Sequence, residues 1–156
     1  MVLSPEDLLS CDTNDFGCQG GFIMDAWEYL EFVGVVTDTC FPYTAGVSGF
    51  APPCISQCSD KEPFTKYMCT NGTLVSPSDV PGIKSELYNN GPMQGGFDFY
   101  EDFFSYKSGV YHHVTGALVG GHSIKVIGWG TENGMDYWLC ANYWGPTWGE
   151  QGFFKI

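Results

Sequence analysis

The stretch from His122 to Asn142 constrains this chain more than any other. His122 to Trp129 is rich in β-forming residues, and Met135 to Asn142 reads as a return strand. Between them, Asn133-Gly134 is the pair that a two-residue hairpin turn favours, because both central residues need positive φ. Gly120 and Gly121 precede the histidine, and Trp144 follows Asn142 by two positions. Gly152 to Ile156 begins a further strand. Antiparallel sheet is therefore expected over the C-terminal part of the chain.

Upstream the periodicity is helical. Ser4-Pro5-Glu6-Asp7 reads as a helix start, with Ser4 as cap, Pro5 at the first helical position and Asp7 completing a capping-box-like pattern. Phe22 to Phe32 predicts the best helix, with Ile23, Ala26, Trp27 and Leu30 on one face and Gly34 as terminator. Thr37 to Glu62 shifts to Pro, Gly, Ser and Cys, the composition of a loop stapled by disulfides. Ser78 to Asn90 predicts another helix, confined by Pro81 and Gly82 to its later residues and stopped by Asn90-Gly91-Pro92. The cluster Phe97, Phe99, Tyr100, Phe103 and Phe104 is expected in the core.

With 156 residues, 44% of them hydrophobic, the chain can build a real core. Its net charge of -12 repels phosphate backbones and anionic lipid, so neither nucleic acid nor a membrane is an expected partner. Seven cysteines point to an oxidising compartment, and an odd count leaves at least one without an internal partner. Asn71-Gly72-Thr73 is a glycosylation sequon. Nothing calls for a cofactor. His112-His113 with Cys54 and Cys58 is a weak metal pattern, because adjacent strand residues point to opposite faces; no metal is expected. No export signal precedes Ser4, and the last strand stops at Ile156, so the chain is expected to be part of a longer or processed protein.

The order His122, Asn142, Trp144, continued through Trp148-Gly149-Glu150-Gln151-Gly152-Phe153, resembles papain-family cysteine proteases. Leu3 to Leu9 with Cys11, Gly17-Cys18-Gln19-Gly20-Gly21, Asn90-Gly91-Pro92, Tyr106 to Tyr111 and His113-Val114-Thr115-Gly116 narrow the resemblance to the cathepsin B branch. It implies an α+β, papain-like two-lobe fold. Residues 1–62 would be the remainder of a helical left domain, and residues 63–156 most of an antiparallel β-barrel right domain.

In such proteases a thiolate attacks the carbonyl, a histidine shuttles the proton and an asparagine amide orients the imidazole. The resemblance gives His122 and Asn142 the last two roles and makes Trp144 the shield of their hydrogen bond. It makes Gly20 and Gly21 a backbone edge for an extended peptide. Ile23, Gly96, Gly121 and Ser123 would contribute to substrate binding. It implies the pairs Cys11–Cys54 and Cys40–Cys58, sets Cys18 against a cysteine near the nucleophile, upstream of Met1, and leaves Cys69 and Cys140 unassigned.

This sequence departs from the family pattern in several places. The family's nucleophile lies about 130–150 residues before the histidine, which falls upstream of Met1. Cys18 stands only 104 residues before His122 and is followed by Gln19, not an aromatic. Tyr143 stands where the family usually has serine, and its ring is expected to crowd the site. The stretch Cys40 to Cys58, which corresponds to the cathepsin B loop that blocks one end of the cleft, is short and lacks histidine.

Three readings follow. The first is a cysteine peptidase, open-clefted and endopeptidic, lysosomal, vacuolar or extracellular, inactive unless an outside segment supplies the nucleophile to act on a peptide or protein substrate. The second is a non-catalytic papain-fold protein binding peptides or a partner through Gly20-Gly21. The third is a disulfide-rich structural fragment.

Overall fold

The computed structural model describes residues 1–156, and contacts divide them into two units, Met1–Val75 and Ser76–Ile156. Residues 63–75, which the sequence reading groups with the second domain, pair with the first unit. Val35 and Tyr67 form an antiparallel bridge, and the Cys69 N–H donates to Leu30 O at 2.9 Å.

In the first unit, helix α1 (Pro5–Cys11) starts as the sequence implies, with Ser4 Oγ accepting the Asp7 N–H at 3.0 Å. The box closes only halfway. The Ser4 N–H donates instead to Val36 O, and the Asp7 carboxylate turns inward. There it accepts the Val36 N–H at 2.7 Å, Lys66 Nζ at 2.6 and 2.8 Å, and the Tyr29 hydroxyl at 3.3 Å. Glu6, also fully buried, accepts from Thr44 N–H, Thr44 Oγ1 and Ala45 N–H. Buried carboxylates are tolerable only when so satisfied. The Glu6 donors belong to the start of α3 (Ala45–Ser48), a short helix inside the expected loop.

Helix α2 (Ile23–Phe32) forms where predicted, but its deepest residue is Tyr29, drawn in by Asp7 and Lys66, while Ile23, Ala26, Trp27 and Leu30 are half-buried. Gly34, at φ 76°, ends it; a Cβ there would stand 2.6 Å from Tyr67 O. Both implied disulfides, Cys11–Cys54 and Cys40–Cys58, are formed and tie the 37–62 stretch down. Asn71 lies on an exposed turn closed by Thr73 N–H on Thr70 O.

In the second unit, α4 (Val80–Asn89) includes Pro81 and Gly82 rather than beginning after them. Asp79 caps it through the Gly82 N–H at 2.8 Å, and proline costs nothing in a first turn whose N–H groups lack helical partners anyway. The sheet is a meander of β1 (Met93–Tyr100), β2 (Leu118–Glu132), β3 (Met135–Ala141) and β4 (Phe153–Lys155), antiparallel and in sequence order. At 15 residues β2 outruns the expected His122–Trp129, because its first half pairs with β1 and its second half with β3, with a register shift between Val126 and Gly128. Asn133 (φ 51°) and Gly134 (φ 81°) make the hairpin turn.

The core of this unit gathers on Phe103, which is 0% exposed, with Phe99, Tyr106, Ile124, Cys140, Trp148 and Phe154. Of the expected aromatic cluster, Phe104 is instead exposed and Tyr100 half-buried under His113. No helix is long and apolar enough to cross a membrane.

Lys66 is 24% exposed, so water can take over its ammonium if Asp7 is removed, whereas the buried Val36 N–H would lose its acceptor. Asp7→Ala is therefore expected to destabilise the first unit by about 1–3 kcal/mol, read as a lowered urea midpoint by far-ultraviolet circular dichroism.

Candidate active site

His122 sits on β2 opposite Phe97 of β1, and strand alternation turns it inward with Ile124 while Gly121 and Ser123 face out. The imidazole is 6% exposed and ringed by Phe97, Phe99, Phe103 and Trp144 at centroid separations of 5.0–6.1 Å. Asn142 follows β3, its N–H held by Gly152 O at 2.9 Å. The two side chains meet, with His122 Nε2 3.0 Å from Asn142 Oδ1.

The backbone N–H of Tyr143 also donates to Oδ1, at 2.9 Å, which fixes the orientation of the amide because an oxygen alone can accept there. Nε2 must then carry the proton, and Nδ1 is left with the lone pair. Asn142 Nδ2 is buried without a partner. The Trp144 indole lies 5.0 Å from the imidazole and stacks on Phe104 at 5.2 Å.

The remaining sequence candidates fall into two groups. In the second unit, Gly96 pairs directly with Ser123, and Gly121 lies two residues from Ser123 on the same face. All three are exposed, and Gln94 Nε2 donates to Ser123 Oγ at 3.3 Å. In the first unit, Gly20 and Gly21 form an exposed turn leading into Ile23 at the start of α2. A Cβ at Gly21 would fall 2.2 Å from the Asp15 carboxylate, which accepts the Phe22 N–H at 2.7 Å, so a larger residue there would have to displace that side chain.

Cys54 and Cys58 are bound in disulfides, so neither can join His112-His113 as a metal ligand. The two histidines lie in irregular chain rather than on a strand, and His113 stacks on Tyr100 with Nδ1 3.2 Å from Asp102. The N–H of Val114, with help from Tyr111 and Thr115, holds the Asp102 carboxyl well below the usual carboxylate range.

Sequence reasoning missed the contact that Tyr143 makes. Its hydroxyl lies 3.4 Å from His122 Nδ1 and its ring tilts against the imidazole at 5.2 Å. The ring is 71% exposed, so it flanks the site rather than crowding it.

The structure thus brings together an inward histidine, an amide oxygen on its Nε2, a lone pair on its Nδ1 and an indole against its ring. The model of the papain family cysteine protease matches residues 1–156. The chain belongs to that family.

Within the family its similarity is to cathepsin B-like proteins. It is 39% identical over 154 residues to Cathepsin B-like CP3 of Giardia intestinalis, covering 98% of this chain and 52% of that protein. It is 42% identical over 169 residues to Cathepsin B-like protease 1 of Arabidopsis thaliana, covering 99% and 44%. Among solved structures, procathepsin B S9 from Trypanosoma congolense superposes with a TM-score of 0.87 at 40% identity, covering 99% of this chain and 54% of that one. Digestive procathepsin L 3 of Tenebrio molitor gives a TM-score of 0.72 at 26% identity, covering 99% and 49%. The chain thus spans about half the length of the proteins it matches, and the α+β papain-like fold is shared.

Burial pushes the His122 pKa below 6.5, while the bond to Asn142 pulls it up. Asn142→Ala is therefore expected to lower it further, measured by the pH dependence of the His122 ring-proton resonances. The unfolded chain protonates first as the pH falls. The stability His122 contributes is then complete above about pH 6.5 and lost as the pH drops through the folded-state value.

Proposed function

We propose that this chain carries the histidine–asparagine half of a cathepsin B-like cysteine peptidase that hydrolyses peptide bonds. The observation that carries the reading is the Nε2–Oδ1 hydrogen bond, which leaves Nδ1 of a buried imidazole as the acceptor for a thiol proton. His122 takes that proton to give a thiolate–imidazolium pair and returns it to the leaving amine. Asn142 holds the ring, and Trp144 keeps water from the His–Asn bond.

The substrate is a peptide or protein in extended form, received along Gly20-Gly21 with Ile23, Gly96, Gly121 and Ser123 contributing to its recognition.

The nucleophile comes from a segment outside these residues, and this chain by itself is inactive. Cys140, the one cysteine in the unit that holds His122, is 1% exposed, and burial pushes its thiol up to about 12. A thiol held protonated is a poor nucleophile.

Endopeptidase action is supported by the short Cys40–Cys58 segment, clasped by its own disulfide and free of histidine. Two disulfides and the family favour a lysosomal, vacuolar or extracellular setting. The second reading, a non-catalytic peptide-binding papain fold, draws on the exposed Gly20-Gly21 turn.

Two assays test this. The refolded, oxidised chain should neither turn over a dipeptidyl fluorogenic substrate nor take up an epoxide thiol inhibitor. Turnover blocked by the inhibitor and lost in His122→Ala would place the nucleophile inside the chain, with Cys18 the first to replace. In a chimera with the N-terminal part of a cathepsin B-like relative fused ahead of Met1, His122→Ala should cut kcat/KM by about 1000-fold or more. Cleavage by that chimera confined to C-terminal dipeptides would overturn the endopeptidase assignment. Peptide binding without any turnover would favour the second reading.

A further inference from the structure

We propose that Tyr143 is a positioning residue that caps the working nitrogen of His122. The inference rests on the reading of His122 as the base. Asn142 Oδ1 takes the proton on Nε2, so Nδ1 can only accept. The Tyr143 hydroxyl, 3.4 Å away, donates to it.

The placement follows from the sequence. Tyr143 is the residue after Asn142, and its own N–H is tied to the Asn142 amide oxygen, so one side-chain oxygen anchors both the imidazole and the tyrosine backbone. The phenol then reaches around the ring from Nε2 to Nδ1, with the two rings tilted by 34°. Serine, which the family usually has here, is too short to make that reach.

The cap has two effects. While it is on, both imidazole nitrogens are hydrogen-bonded, and the ring is held in the tautomer that general-base catalysis needs. Because it occupies Nδ1, a thiol must displace it before passing its proton there. The contact is at the long end for a hydrogen bond, and the ring is largely exposed, so displacement opens no core. Tyr143 therefore acts through His122 and competes with the nucleophile for one lone pair.

Carbethoxylation of histidine by diethylpyrocarbonate tests this, because the reagent needs a free imidazole lone pair and requires no activity from the chain. Mapped by peptide mass spectrometry, His112 and His113 serve as internal references. Tyr143→Phe keeps the ring and removes only the hydroxyl. His122 in that variant is expected to react roughly two- to tenfold faster, the range one neutral hydrogen bond allows, with the references unchanged. An unchanged His122 rate overturns the cap.

If the variant does not fold, ring nitrogen NMR of the unaltered chain decides. A Nδ1 resonance upfield of an unbonded acceptor nitrogen supports the proposal, and one at the unbonded position overturns it. Both readouts are independent of the chimera's His122→Ala assay, so the cap and the catalytic role can fail separately.

Discussion

The second unit depends on the packing around Phe103. Its ring contacts Phe97, Tyr111, Trp148 and Phe154 at 4.9–5.2 Å and reaches His122 itself at 6.1 Å. Aromatic edge-to-face contacts of this kind add roughly 0.5–1.5 kcal/mol each beyond the area they bury. The same side chains thus build the core and exclude water from the imidazole. The depressed pKa of His122 follows from that burial.

The first unit is organised differently, around polar groups under cover. Glu6 and Asp7 stand side by side in α1 and reach apart, one to Thr44 and Ala45, the other to Val36 and Lys66. Together with Cys11–Cys54 they bind one short helix to four distant points of the chain, Val36, Thr44-Ala45, Cys54 and Lys66. Such interactions cost desolvation, but they specify one arrangement wherever their partners are present.

What was legible in the sequence was what is local. The Ser4 cap, the α2 helix and the Asn133-Gly134 turn depend on neighbours within four residues, and motif order carried the resemblance that implied both disulfides. What was not legible depends on partners far along the chain. Asp7 reads as half of a capping box until Lys66, 59 residues away, claims it. Pro81 reads as a breaker unless Asp79 is recognised as the cap ahead of it. Tyr143 reads as bulk until its hydroxyl is placed against Nδ1.

The meander has a kinetic consequence. Each strand pairs with its neighbour in sequence, so no distant segment must be found before the sheet can form. His122 and Asn142 are joined by the β2–β3 hairpin, a closure spanning only 20 residues. The dyad is therefore set by hairpin register. A slip of one residue along β2 would swap the two faces of the strand, turning His122 out to water and Gly121 or Ser123 into its place. The two-residue turn at Asn133-Gly134 is the element that keeps the strands in phase.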